Sequence, residues 1–175
     1  MPRTYQAKVL TVSDSVDAGI REDISGAAVV VRLESEEFDV IEHRVVADTM
    51  DEVVNALTYM AYGFNGLIVT TGGTGFGPRD LTPEATRRIA DRLAPGLGDA
   101  MRNCNPLGRL SRAIAATRGA SLILNTAGSP NGAVEMLDAV LDVVPHALDL
   151  MAGGGADHPG SEHPPADLPA TVAGS

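Results

Sequence analysis

Leu67-Ile68-Val69-Thr70 is an unbroken apolar run that ends against Thr71-Gly72-Gly73-Thr74-Gly75-Phe76-Gly77-Pro78-Arg79-Asp80. A strand without polar alternation suits a position buried on both faces, which a parallel sheet covered by helices provides. The glycines that follow cannot continue it, so the chain must leave the sheet at Thr71. The segments on either side are helical. Upstream, Thr49 and Glu52 match a capping box, and Met50, Val53, Val54, Leu57, Met60 and Ala61 recur at i, i+3, i+4 and i+7 until Gly63 and Gly66. Downstream, Thr82 as N-cap with Pro83 at the first helical position predicts a helix to about Leu93.

The remaining punctuation repeats this alternation. Lys8 to Val12 reads as a strand that stops at the turn Ser13-Asp14-Ser15, and Ser25-Gly26 opens a helical segment carrying Val29, Val30 and Leu33. Phe38 to Val46 reads as a second strand. Pro95 to Asn103 is helical, the chain around Pro106 and Gly108 is irregular, and Ala120 to Leu124 is a fourth strand before the turn Gly128-Ser129-Pro130. Ala133, Val134, Leu137, Val140, Leu141 and Val144 make a further stripe, which Pro145 divides from a last helix with Leu148 and Met151. The order predicts an α/β three-layer sandwich, a mostly parallel sheet with right-handed crossovers and helices on both faces.

At 175 residues the chain suits one domain, assigned to 1–152. Residues 153–175 are rich in Gly and Pro and read as a flexible acidic tail; His158 and His163 within it are too isolated to suggest a metal site. A single cysteine, Cys104, excludes a disulfide framework and a cysteine-based zinc site. The start of the chain lacks the pattern of a secretory signal, and the uncharged stretch from Val53 to Pro78 is too broken to span a membrane, so a cytoplasmic protein is expected. Charge is unevenly spread. Residues 79–118 hold eight Arg and four acids, whereas the rest holds five basic and 19 acidic residues, within a net charge of -10. That segment either meets an anionic ligand locally or is a solvated face with Arg88 and Arg92 one helical turn apart. With 3% aromatics and no basic run between them, nucleic acid is not an expected partner.

In sheets of this kind ligands bind beyond the carboxyl ends of the strands. Ser13-Asp14-Ser15, Asp48, the Thr71–Asp80 loop and Gly128-Ser129-Pro130 each follow a strand, so they should converge on one edge. Closely spaced glycines let backbone N–H groups approach a phosphate or a heterocycle, or else make only a tight strand-to-helix connection. The run is neither a Walker A loop, since Pro78-Arg79 follows Gly77, nor a GxGxxG fingerprint. Asp14, Asp48 and Asp80 suit a phosphate site if they hold Mg²⁺; the alternative for Asp14 and Asp48 is turn or helix capping. Ser111 and Arg112 could bind phosphate. Cys104 lacks a histidine partner, and His43 and His146 read as structural or surface residues, which disfavours a cysteine or serine hydrolase.

The pattern Thr70-Thr71-Gly72-Gly73-Thr74-Gly75 followed by Pro78-Arg79-Asp80-Leu81-Thr82-Pro83-Glu84-Ala85-Thr86 resembles the MogA/MoaB molybdopterin-binding family, which includes the G domain of gephyrin and its plant counterpart. Val12-Ser13-Asp14, Val45-Val46-Ala47-Asp48, Leu110-Ser111-Arg112 and Gly128-Ser129-Pro130 agree in order, over about residues 5–152. The resemblance implies a homotrimer that binds molybdopterin and, in active members, uses Mg-ATP to adenylylate it, releasing pyrophosphate ahead of metal insertion by a downstream protein. It assigns Asp48 and Asp80 as catalytic acids and Mg²⁺ ligands. Ser13, Asp14, Thr71, Gly72, Gly73, Thr74, Gly75, Ser111, Gly128, Ser129 and Pro130 become the substrate and nucleotide contacts. The chain departs from the family at Thr126-Ala127, where Leu-Pro or Met-Pro is usual. Two other functions are compatible with the residues: a non-catalytic MoaB-like molybdopterin-binding protein, and a nucleotide- or sugar-phosphate-binding protein outside the family.

Overall fold

The computed structural model describes residues 4–153. The tail assigned from 153 onward, with His158 and His163, lies outside the described residues from 154 on. The chain runs β1 (Gln6–Val12), α1 (Asp14–Asp17), α2 (Ile24–Ser35), β2 (Asp39–Val46), α3 (Met50–Ala61), β3 (Gly66–Thr71), α4 (Thr82–Ile89), β4 (Arg92–Leu93), α5 (Pro95–Arg102), a 3₁₀ turn (Pro106–Leu110), β5 (Ala115–Arg118), β6 (Ser121–Thr126), α6 (Pro130–Asp138) and α7 (Val144–Met151). One six-stranded sheet has the order β2-β1-β3-β6-β5-β4. The first four strands of that order are parallel, and β5 and β4 complete the sheet antiparallel.

Alternation along the strands divides the core in two. Val9, Leu67, Val69, Leu122 and Leu124 point to the face covered by Val29 and Leu33 of α2, Met136 and Leu137 of α6 and Leu148 of α7. Leu10, Ile68 and Ile123 point to the other, against Val53, Leu57 and Met60 of α3 and Ala85 and Ile89 of α4. Every residue of β3 is buried, as its unbroken apolar sequence demands. Among the described residues no helix is long and apolar enough to cross a membrane.

Several boundaries differ from the sequence reading. α4 stops at Ile89, and Arg92-Leu93 instead pairs antiparallel with Thr117 and Ala116, so Arg88 and Arg92 do not share a helix face. The expected fourth strand is the second arm of a β5–β6 hairpin turning at Gly119, whose φ is +56°. Ser13-Asp14-Ser15 is more than a turn: Ser13 caps the four-residue α1. Gly66 begins β3 rather than ending α3, because a Cβ there would collide with the Gln6 carbonyl and the Phe64 ring. α6 ends at Asp138, leaving Val140 and Leu141 buried in the connection to α7. Leu81 holds the N-cap position of α4 and Thr82 is the first helical residue, its hydroxyl donating to the Gly72 carbonyl at 2.9 Å.

Candidate functional site

The four segments expected to converge do so at the carboxyl ends of β1, β2, β3 and β6. The Ser13 N–H donates to the Val46 carbonyl (2.9 Å), tying the end of β1 to that of β2. Just beyond, Asp14 and Asp48 exchange hydrogen bonds. The Asp14 N–H donates to Asp48 Oδ2, and the Asp48 N–H to Asp14 Oδ1, each at 2.9 Å. Arg79 closes on Asp14 Oδ2 through Nε (2.8 Å) and Nη2 (2.6 Å). Burial pushes the Asp48 carboxyl above the ordinary aspartate range, and the charges of Asp14 and Asp80 push the same way. The Asp14 N–H and the Arg79 guanidinium oppose this without cancelling it.

Across the site the chain leaves β3 through Gly72 and Gly73, at φ +98° and +66°, a region L side chains rarely enter. A Cβ on Gly72 would strike the Val12 carbonyl, and one on Gly73 would meet the Thr82 hydroxyl. The loop then curls around Asp80. The Gly77 N–H donates to Asp80 Oδ2 at 2.8 Å, and Cβ atoms at Gly75 or Gly77 would lie only 2.9 and 2.8 Å from that same oxygen. A methyl at Gly75 or Gly77 would therefore push the Asp80 carboxylate from this position, whereas Gly72 and Gly73 are called for by the turn itself. Gly128, at the end of β6, packs against the Gly72 backbone, while the Ser129 hydroxyl caps α6 through the Gly132 N–H at 3.2 Å. At the departing Thr126-Ala127 dipeptide, the Thr126 hydroxyl donates to the Thr70 carbonyl and the Ala127 carbonyl accepts from the Thr71 hydroxyl, both at 2.7 Å.

Two hollows meet at Gly73, Asp80 and Gly128. One, of about 290 Å³, is lined by Ser13, Arg21, Asp48, Thr71 and Pro130 among others and is the more polar of the two. The other, of about 590 Å³, is lined by Thr74, Gly75, Leu107, Leu110, Ser111, Ser129 and Met136 and has the apolar walls suited to a ring system. Asp14 stands beside them through its exchange with Asp48. All the sequence-assigned residues thus gather in one region.

The basic segment does not behave as its charge suggested. Among the described residues none of its eight arginines lines either hollow. Arg79 is held by Asp14, Arg102 by Asp99, Arg118 by Asp91, and Arg112 by Glu84 behind the glycine loop. The basic side chain that does line a hollow is Arg21, from the loop between α1 and α2. Its position shortly after the end of β1 was the available signal. His43 is structural: its Nε2 lies 2.9 Å from Asp23 Oδ2, and Asp23 also caps α2 and accepts from the Thr11 hydroxyl at 2.6 Å. Burial raises the Cys104 thiol, which suits a packed side chain rather than a nucleophile.

Among the described residues no group of three or more His, Cys, Asp or Glu converges as a ready-made metal site. Asp48 and Asp80, two carboxylates lining one hollow, fit Mg²⁺, which commonly takes one or two protein carboxylates and completes its shell with phosphate and water.

Residues 8–146 match the family model described as "Probable molybdopterin binding domain". The chain is 37% identical over 158 residues to a molybdopterin adenylyltransferase of Helicobacter pylori strain J99, covering 86% of this chain and 90% of that protein. Gephyrin of Dictyostelium discoideum is 38% identical over 157 residues, 82% of this chain but 22% of that larger protein. The molybdopterin biosynthesis enzyme MoaB of Thermus thermophilus superposes with a TM-score of 0.81 at 44% identity, covering 86% of this chain and 98% of that one.

Proposed function

This chain belongs to the MogA/MoaB molybdopterin-binding family of molybdenum cofactor biosynthesis, and from that premise we propose that it adenylylates molybdopterin at the expense of ATP. The terminal phosphate oxygen of molybdopterin attacks the α-phosphorus of ATP. A new P–O bond forms there while the bond to the bridging oxygen of the β-phosphate breaks, giving adenylylated molybdopterin and pyrophosphate. No protein nucleophile is required, so the work of the chain is positioning and charge stabilisation.

The observation that carries this reading is the pair Asp48 and Asp80, which come from different segments and line the same hollow, Asp80 also standing where it joins the second. A phosphate site walled by carboxylates is repulsive unless a cation mediates. Asp48 and Asp80 would hold Mg²⁺, which supplies neutralisation of the polyphosphate charge. In the Thr71–Gly75 segment the Gly72 N–H is taken by the Thr126 carbonyl, and Gly73, Thr74 and Gly75 offer backbone donors to the transferring phosphoryl group. Arg21 faces the polyphosphate from the far side of the polar hollow, and Leu107, Leu110 and Met136 flank a heterocycle in the apolar one. Ser13, Asp14, Ser111 and the Gly128-Ser129-Pro130 turn complete the contacts. The reading extends to a cytoplasmic homotrimer that passes its product to a metal-insertion protein.

A second reading, a MoaB-like protein that binds molybdopterin without adenylylating it, draws on the likeness to MoaB. One experiment separates the two: protein, molybdopterin, ATP and Mg²⁺ are mixed and adenylylated molybdopterin is followed by mass spectrometry. Product supports the transferase; bound pterin with no product supports the second reading; no pterin binding overturns both.

A further inference from the structure

Arg112 has no place in either hollow, yet its contacts centre on the loop that ends in Asp80. Its Nε donates to the Gly75 carbonyl at 2.7 Å, its Nη2 donates to the Asp80 carbonyl, and its Nη1 pairs with Glu84 Oε1 in the first turn of α4. Its own N–H donates to the Thr74 carbonyl at 2.8 Å. One residue thereby fastens the loop at its middle, Thr74 and Gly75, and at its end, Asp80, and ties both points to the helix that follows. The second carboxylate oxygen of Glu84 is buried and accepts no hydrogen bond from the described residues, although about a third of each side chain of the pair is open to solvent.

We infer that Arg112 is a positioning residue for the reaction: it sets where the Asp80 carboxylate stands while touching no substrate itself. The Gly77 N–H grips the Asp80 carboxylate from inside the loop, whereas among the described residues it is the guanidinium that holds the Gly75 and Asp80 carbonyls from outside. Three acceptors in different directions, one of them charged, suit a planar fork of five donors and not an ammonium. Lysine at this position would keep the charge opposite Glu84 and lose the divergent carbonyl contacts.

The kinetic part of the test rests on the adenylyltransferase reading, and a second part does not. In the first, Arg112→Ala and Arg112→Lys are assayed beside wild type for kcat and for molybdopterin affinity. Both variants should lose about 100-fold in kcat, as a misplacement near 1 Å can do, with molybdopterin affinity changed less than about threefold. Guanidinium ion added to Arg112→Ala should restore part of the rate. In the second, hydrogen exchange of residues 74–80 should accelerate in Arg112→Lys while the strands β1, β3 and β6 keep wild-type protection. Wild type without product would overturn the adenylyltransferase reading and leave the exchange result to decide the clamp. Unchanged exchange, a kcat within about threefold of an active wild type, or equal losses in rate and molybdopterin affinity would overturn the assignment to Arg112.

Discussion

The wall built from the ends of β1 and β2 and the wall built from the loop after β3 each present one carboxylate, yet they hold it by different means. Asp48 is held by side-chain exchange: its oxygen and its N–H both engage Asp14. Burial near two other acids leaves its ionised form strained. Asp80 is held by backbone geometry, with glycines that leave room for its carboxylate and a guanidinium that fixes the carbonyls around it. The first arrangement stores an electrostatic cost in the site. The second spends conformational freedom, since a loop rich in glycine loses more entropy on ordering.

The largest expected effect is at the loop wall. Asp80→Asn should lower the rate of adenylylated product by about 10³-fold, about 4 kcal/mol of transition-state stabilisation, because no other carboxylate comes from that wall. Gly72→Ala tests the loop's backbone geometry: it should cost about 3 kcal/mol in denaturant melts, since φ is +98° there and the Val12 carbonyl blocks the added methyl. Asp48→Asn should lower the rate by about 10²-fold and, unlike Asp80→Asn, raise the melting temperature at pH 7. Its folded-state carboxyl titrates above its unfolded value, so wild-type stability falls as pH rises from the ordinary aspartate range through the raised one. Asparagine has no proton to lose, and the difference between variant and wild type should vanish below about pH 3.9. A melting temperature for Asp48→Asn below wild type at pH 7 would break the contrast between the walls. Arg21→Ala should raise KM for ATP about tenfold with molybdopterin binding unchanged, as expected for one charge-assisted contact to phosphate. The smallest effect belongs to Arg79→Ala, whose ion pair with Asp14 is largely open to solvent and should contribute less than about 1 kcal/mol to stability.

What was legible in the sequence followed from local physics. The uniform burial of β3 is written in Leu67 to Val69, and the α3 cap in Thr49, whose hydroxyl accepts from the Glu52 N–H. The strand-end rule was enough to bring Ser13, Asp48, the glycine loop and Gly128 to one edge. The two antiparallel strands were not legible, because Arg92-Leu93 is too short for a period and Ala115–Arg118 gains its conformation from β6. Thr82 misled for a related reason: it is already inside the helix, and its hydroxyl ties that helix to the Gly72 carbonyl across the loop. The arginines resisted reading most. Charge counts located an Arg-rich stretch, but whether a guanidinium faces a ligand, as Arg21 can, or braces a loop, as Arg112 does, depends on contacts between segments far apart in the chain.

Phe76 rides at the outer tip of the glycine loop, 67% exposed, between two glycines whose backbone groups do the holding. Its ring therefore has no structural duty, and the chain contains no tryptophan. Phe76→Trp would give the protein a single tryptophan, on the segment that frames Asp80. The loop's response to nucleotide or Mg²⁺ could then be followed optically, one ligand at a time, by exciting beyond the absorption of the three tyrosines.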